Sequence, residues 1–202
     1  MKRYKSSSSK KIVGITGGIG SGKTFVCQIL ESMSYPVFYS DKEAKWVLVN
    51  DTTVKGKVID LFGEEAYFDG GILNREFLAS KIFEDKKMLT QMNAIVHPAV
   101  KQHFLNWVDQ QNSKIVFNEA AIIFEIGNSK NYEKIILVKA SKTTKIKRIQ
   151  KRDSSSLIDI EKRMNNQWTD EKKTELADFC IINDEGAMLL PQINAILNAL
   201  NE

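Results

Sequence analysis

Short apolar runs alternate along this chain with segments whose apolar residues recur every three or four positions. That alternation predicts an α/β protein built on a parallel sheet. The apolar runs place strands at 11–16, 36–39, 114–118, 134–138 and 179–182. A helix is expected at about 22–32 with Val26, Ile29 and Leu30 facing inward, from their helical spacing. The last helix carries a stripe of Leu190, Ile193, Leu197 and Leu200. Both stripes read as core.

Between the second and third strands lie about 70 residues with no strand pattern, too long for a plain crossover. Helical patterns occupy 42–49, 54–62, 74–83, 87–96 and 97–109, the last with Val100, Phe104, Trp107 and Val108 on one face. The expected arrangement is a helical insertion over the mouth of the sheet, where a second substrate would sit. After the fourth strand comes a basic helix at 142–152 with Lys145, Lys147, Arg148, Lys151 and Arg152. Ser154, Ser155 and Ser156 interrupt it, and another helix is read at 158–168. The lysines read as a solvated face. Arg148 and Arg152, four apart on one face, fit a helical lid that closes over phosphates. The expected organisation is a tail at 1–10 and one unit at 11–202. That unit comprises a core (11–41, 112–147, 174–202), the insertion (42–111) and a lid (148–173).

Composition narrows the partners. The chain has 202 residues, 43% of them hydrophobic, enough for one sizeable core and a small inserted subdomain. The net charge is +4, but the first eleven residues hold five of the 29 basic residues and no acid. The remainder carries 24 basic against 25 acidic residues, so the basicity belongs to the tail. A nucleic-acid-binding surface is therefore not expected as the main function. The Ser- and Lys-rich tail lacks an apolar stretch, does not read as a secretory signal and is expected to be disordered. No apolar run is long enough to span a membrane. Cys27 and Cys180 read as reduced, buried thiols. A cytoplasmic monomer is expected.

Candidate chemistry begins at 17–24, Gly-Gly-Ile-Gly-Ser-Gly-Lys-Thr, a full match to G-x-x-x-x-G-K-[ST] directly after the first strand. A strand feeding a glycine loop feeding a helix wraps backbone N–H groups around a nucleotide's phosphates. Lys23 would reach the β/γ oxygens, and the Thr24 hydroxyl would ligate Mg²⁺. Asp41 follows the second strand at the edge where ligands gather, so its carboxylate could accept a proton from an attacking hydroxyl. It could equally open the next helix as a cap. Glu119, closing the third strand, stands where an acid would hold Mg²⁺ through water, or begins a turn. His97 before Pro98 suits a helix start, as a structural residue or a ligand contact.

Several separate segments together resemble the dephospho-CoA kinase family: IVGITGGIGSGKT at 12–24, Asp41, LNREFLASKIF at 73–83 and MNAIVHPAV at 92–100. The resemblance continues through EAAIIFE at 119–125, KRIQKRD at 147–153, RMNNQW at 163–168 and ADFCIIND at 177–184. It implies a three-layer P-loop NTPase fold: a parallel five-stranded sheet, a helical substrate-binding insertion and a helical lid. It implies phosphorylation of the ribose 3′-hydroxyl of dephospho-CoA by ATP with Mg²⁺, giving coenzyme A and ADP. By the resemblance Asp41 is the base on that hydroxyl. Gly20, Ser21, Gly22, Lys23, Thr24 and Phe25 hold ATP, with Arg148 beside them. Arg152 stabilises the transferred phosphoryl group, Arg75 and His97 face the CoA moiety, and Asn183 lies near the adenine. Three departures stand out. Tyr39-Ser40-Asp41 replaces a common Asp-Ala-Asp, Ala121 replaces a common proline, and Phe25 replaces a small hydroxyl residue. A kinase of another small acceptor, such as a nucleoside monophosphate, is the nearest rival. A GTPase-like switch would need an Asn-Lys-x-Asp sequence, which the chain lacks.

Overall fold

β1 (Lys11–Thr16) is buried from Ile12 onward because it lies at the centre of the sheet, covered on both faces. In the computed structural model, which describes Tyr4 and residues 10–202, it pairs in parallel with β5 (Ile115–Glu119) and β6 (Lys134–Lys139). β2 (Val37–Tyr39) adds to β5 and β7 (Phe179–Ile182) adds to β6, both parallel, giving the order β2-β5-β1-β6-β7. The five expected strands thus form one sheet, with boundaries shifted by a residue at most. The basic tail, apart from Tyr4 and Lys10, lies outside the described residues. The Tyr4 N–H donates to Asn131 O at 3.1 Å, and its ring meets that of Tyr132 edge-on.

The chain divides into two compact units, one of residues 1–39 and 111–202, the other of Ser40–Gln110. In the first, α1 (Lys23–Ser32) and α9 (Leu189–Asn201) cover one face of the sheet. Val26, Cys27 and Leu30 meet Val13, Ile15, Val138 and Ile181, together with Ile193, Ile196, Leu197 and Leu200. The stripe read on α9 is corrected at one position. Leu190 is 56% exposed, whereas Leu189 and Ile196 are buried. The buried set 189, 193, 196, 197 and 200 follows the helical period more closely, and Leu190 projects beside it. Cys27 and Cys180 are free thiols, and burial pushes the Cys27 thiol well above its ordinary pKa.

After β6 come α6 (Lys142–Asp153), α7 (Leu157–Asn165) and the short α8 (Asp170–Thr174). Ser154 takes a left-handed conformation (φ 51°) that ends α6, and Ser156 caps α7 by accepting the Asp159 N–H. The helix read as continuous to 168 therefore stops at Asn165, and Thr169 starts a new one by accepting the Lys172 N–H.

The second unit contains α2 (Ser40–Asn50), α3 (Thr52–Phe62), α4 (Arg75–Glu84) and α5 (Lys86–Gln110) around Val47, Val54, Val58, Phe62, Met92 and Val96. Two expectations are corrected here. A two-residue hairpin, β3 (Tyr67–Phe68) against β4 (Ile72–Leu73), occupies a stretch read as strandless. Strands that short show no alternation, and their turn rests on Gly70 and Gly71 at φ 78° and 79°. The two helices read at 87–96 and 97–109 are one helix with Pro98 inside it. Pro98 removes the N–H that would donate to Ala94 O, a loss of about 3 kcal/mol in an isolated helix. Burial of Met92 and Val96 before it and Phe104 and Val108 after it holds both halves. Among the described residues, no helix is long and apolar enough to cross a membrane.

The α9 correction has a measurable consequence. Leu197→Ala should lower stability by about 3 kcal/mol in urea unfolding, whereas Leu190→Ala should stay within about 0.5 kcal/mol. Equal losses would contradict the packing described.

Candidate active site

The glycine loop runs from the end of β1 into α1, and the groups around it hold its carbonyls. Lys23 Nζ donates to Gly17 O at 3.0 Å and lies 3.4 Å from Gly18 O. Asn183 Nδ2 donates to Ser21 O at 2.8 Å, and Arg148 approaches the same oxygen at 3.3 Å. Gly22 sits at φ 86°, and a Cβ there would collide with Asn183 Nδ2, so only glycine permits this approach. Gly17 is confined likewise against Val138 O. α1 begins at Lys23 with Gly22 as its cap, so its N-terminal dipole opens onto the loop.

A cleft of about 380 Å³ adjoins the loop, lined by Gly20, Gly22, Lys23, Thr24, Arg148 and Arg152 among others. Six of the residues singled out from the sequence therefore border one space. Phe25 borders it too. Its N–H donates to Gly22 O inside the first turn of α1, and its 57% exposed ring is what faces out. The Ser21 N–H likewise closes a turn on Gly18 O. Asn183 is buried just beyond β7, its amide bound to the loop. Arg152 forms two hydrogen bonds with Asp153, at 2.6 and 2.9 Å, and Arg163 of α7 reaches the same carboxylate at 2.8 Å. These arginines, Arg152 first, hold the Asp153 carboxyl well below the usual carboxylate range.

Glu119 ends β5 in register with Ile15 of β1 and Tyr39 of β2, so it stands on the carboxyl edge between the loop's strand and β2. It is buried, with Oε1 4.0 Å from Lys23 Nζ. A buried carboxylate beside the loop and the exposed Thr24 hydroxyl on α1 are hard oxygen donors of the kind Mg²⁺ takes when phosphates supply the rest. The residues present fit that ion. Tyr39 donates instead to Glu31 Oε2 at 2.8 Å, and burial raises its pKa.

The remaining predicted residues belong to the second unit. Asp41 is exposed in the first turn of α2, which starts at Ser40, so it lies within the helix rather than capping it. Arg75 opens α4 behind the Asn74 cap, and His97 lies exposed midway along α5, not at a helix start.

The lid holds groups that the sequence reading passed over. Lys145, read as solvated, is buried and paired with Asp170, because it shares the inward face of α6 with Ile149. Gln167 Oε1 accepts the Ile19 N–H of the loop at 2.8 Å. Lys173 is fully buried and pairs with Glu125 Oε1 at 2.7 Å, which also accepts the Trp168 N–H. Gln167 and Glu125 stood inside the family-like strings, whereas Lys173, in the run Asp-Glu-Lys-Lys, carried no signal that it would be buried.

A glycine loop between β1 and α1, at the carboxyl edge of a parallel sheet flanked by helices, defines a P-loop fold. The family model described as "Dephospho-CoA kinase" matches residues 11–188. A dephospho-CoA kinase of Bacteroides fragilis is 41% identical over 182 residues, 90% of this chain and 88% of that one. One from Porphyromonas gingivalis is 35% identical over 189 residues, 93% of each. The chain belongs to the dephospho-CoA kinase family. Among solved structures, a Thermus thermophilus protein superposes with a TM-score of 0.84 at 30% identity, covering 95% of this chain and 98% of that one. The dephospho-CoA kinase of Campylobacter jejuni shares the fold at a TM-score of 0.67 and 24% identity, with 96% of each chain covered.

The Asn183 bond can be tested directly. Asn183→Ala leaves Ser21 O without its short partner and should cost about 1–2 kcal/mol in urea unfolding. An unchanged midpoint would mean that this amide does not hold the loop.

Proposed function

We propose that this chain transfers the γ-phosphoryl group of ATP to the ribose 3′-hydroxyl of dephospho-CoA, yielding ADP and coenzyme A. The observation that carries this reading is the phosphate-type loop with its bordering cleft, in a chain matched by the family model over residues 11–188. The loop and the α1 N-terminus cradle the phosphates, and Lys23 draws charge from the β/γ oxygens. Thr24 and Glu119 hold Mg²⁺, which neutralises charge on the phosphates when bound. Asp41, two residues beyond β2, takes the proton from the 3′-hydroxyl as that oxygen attacks phosphorus and the bond to the ADP oxygen breaks. Arg152 and Arg148 stabilise charge on the moving group and on the donor. Arg75 and His97 bind the CoA moiety of the acceptor, and Asn183 lies near the adenine of ATP. Most of the rate comes from holding hydroxyl and phosphorus in line and excluding water, so little covalent work falls to the protein. The same reading places the protein in the cytoplasm as a monomer, with no nucleic-acid partner.

Two measurements test it. ADP release from MgATP should depend on added dephospho-CoA and not on nucleoside monophosphates; the reverse preference would establish the rival acceptor. Asp41→Asn should bind MgATP as the parent does while losing about 10²–10⁴-fold in kcat, the range for removing a general base. Near-parental turnover would exclude Asp41 as that base.

A further inference from the structure

The lid region meets the glycine loop through Arg148, which approaches Ser21 O at 3.3 Å, and through Gln167. Gln167 Oε1 accepts the Ile19 N–H, and Gln167 begins a segment that is fastened at several further points. Its neighbour Trp168 donates its N–H to Glu125 Oε1 at 3.1 Å. Asp170 pairs with the buried Lys145 of α6, and Lys173 pairs with Glu125. Lys172 lies over the Trp168 ring, 3.5 Å from its centroid. Residues 167–173 are thus a strap fastened to the stretch after β5, to α6 and to the loop. The strap forms one wall of a cavity of about 460 Å³ that Gly18, Ile19 and Ser141 also border.

Lys173 is the unexpected member. A lysine with 0% exposure is costly to bury, and a single carboxylate only offsets that cost. Packing alone would be served as well by an apolar pair. What the carboxylate adds is direction, because the oxygen bound to Lys173 also fixes the Trp168 backbone one residue from Gln167.

We infer that Gln167 is a positioning residue for phosphoryl transfer. Through the Ile19 N–H it sets the rim of the glycine loop, and Glu125 with Lys173 holds Gln167 in place. Ile19 immediately precedes Gly20–Thr24, the residues assigned to the phosphates, so a shift of its backbone is passed directly to them. The inference rests on the phosphoryl-transfer reading above.

The test is calorimetric binding of a magnesium complex of a non-hydrolysable ATP analogue, with initial-rate kinetics on the same samples. Gln167→Ala should weaken analogue binding about tenfold and raise the KM for ATP, leaving the KM for dephospho-CoA unchanged, as expected for one lost charge-neutral hydrogen bond. Glu125→Leu/Lys173→Met keeps an apolar, filled pair but removes the acceptor for the Trp168 N–H, so it should show the same loss. Glu125→Gln/Lys173→Met restores an amide oxygen there and should recover most of the affinity. Combining Gln167→Ala with the Leu/Met pair should weaken binding no further, since the residues act in series. Parental affinity in Gln167→Ala, or losses that multiply, would overturn the inference. A parent protein that binds no ATP analogue would instead sink the phosphoryl-transfer reading on which it stands.

Discussion

A loop that turns its N–H groups toward an anion must have its carbonyls held elsewhere, and this requirement organises the first unit. Carbonyl oxygens left facing the phosphates would repel them, and buried without partners they would destabilise the fold. The chain meets the requirement from three directions. Lys23 curls back onto Gly17 O, Asn183 reaches in from beyond β7 to Ser21 O, and the first turn of α1 takes Gly22 O. Each of these fixes something larger. The Lys23 ammonium is placed near Glu119, and Asn183 ties the edge of the sheet to the loop two strands away. The close approach at Gly22 follows from the same bond, because the amide occupies the space a Cβ would need.

The sheet exists to hold those directions. β1 delivers the loop, β5 delivers Glu119 on one side, and β6 leads to α6 with its arginines on the other. Parallel pairing brings all three carboxyl ends to one edge, which is why residues more than a hundred positions apart border one cleft. The core beneath is apolar on the face packed by α1 and α9. Its burial holds the edge rigid, and the glycines that soften the loop are confined to the places where that edge demands them.

Much of this was legible in the sequence because the signals were local. Apolar runs of four to six residues located every strand of the main sheet, and the spacing of glycines with Lys23 and Thr24 located the loop. Where the reading failed, tertiary packing had outweighed a local rule. Pro98 marks a helix start by its chemistry, yet α5 runs through it because apolar side chains on both halves are buried. The hairpin at 67–73 was too short for any period to register. Lys145 and Lys173 looked like every other surface lysine, since the carboxylates that let them be buried, Asp170 and Glu125, lie 25 and 48 positions away. Burial of a charge is decided by its partner, and a partner that distant leaves no mark on the neighbouring residues.

The two buried pairs also differ from the exposed ones around them in what they can do. Lys142–Glu161 and Lys147–Glu185 lie on the surface, where water screens the attraction and the contribution is small. Lys145–Asp170 and Lys173–Glu125 have little water around them, so their partners cannot be exchanged for solvent without a large loss. That makes them poor sources of net stability but good fixers of geometry. Both converge on the short stretch from Gln167 to Lys173, which runs into α8 ahead of β7. Buried ion pairs thus fasten the stretch that meets the loop, whereas Arg152, Asp153 and Arg163 pair with one another at the exposed surface.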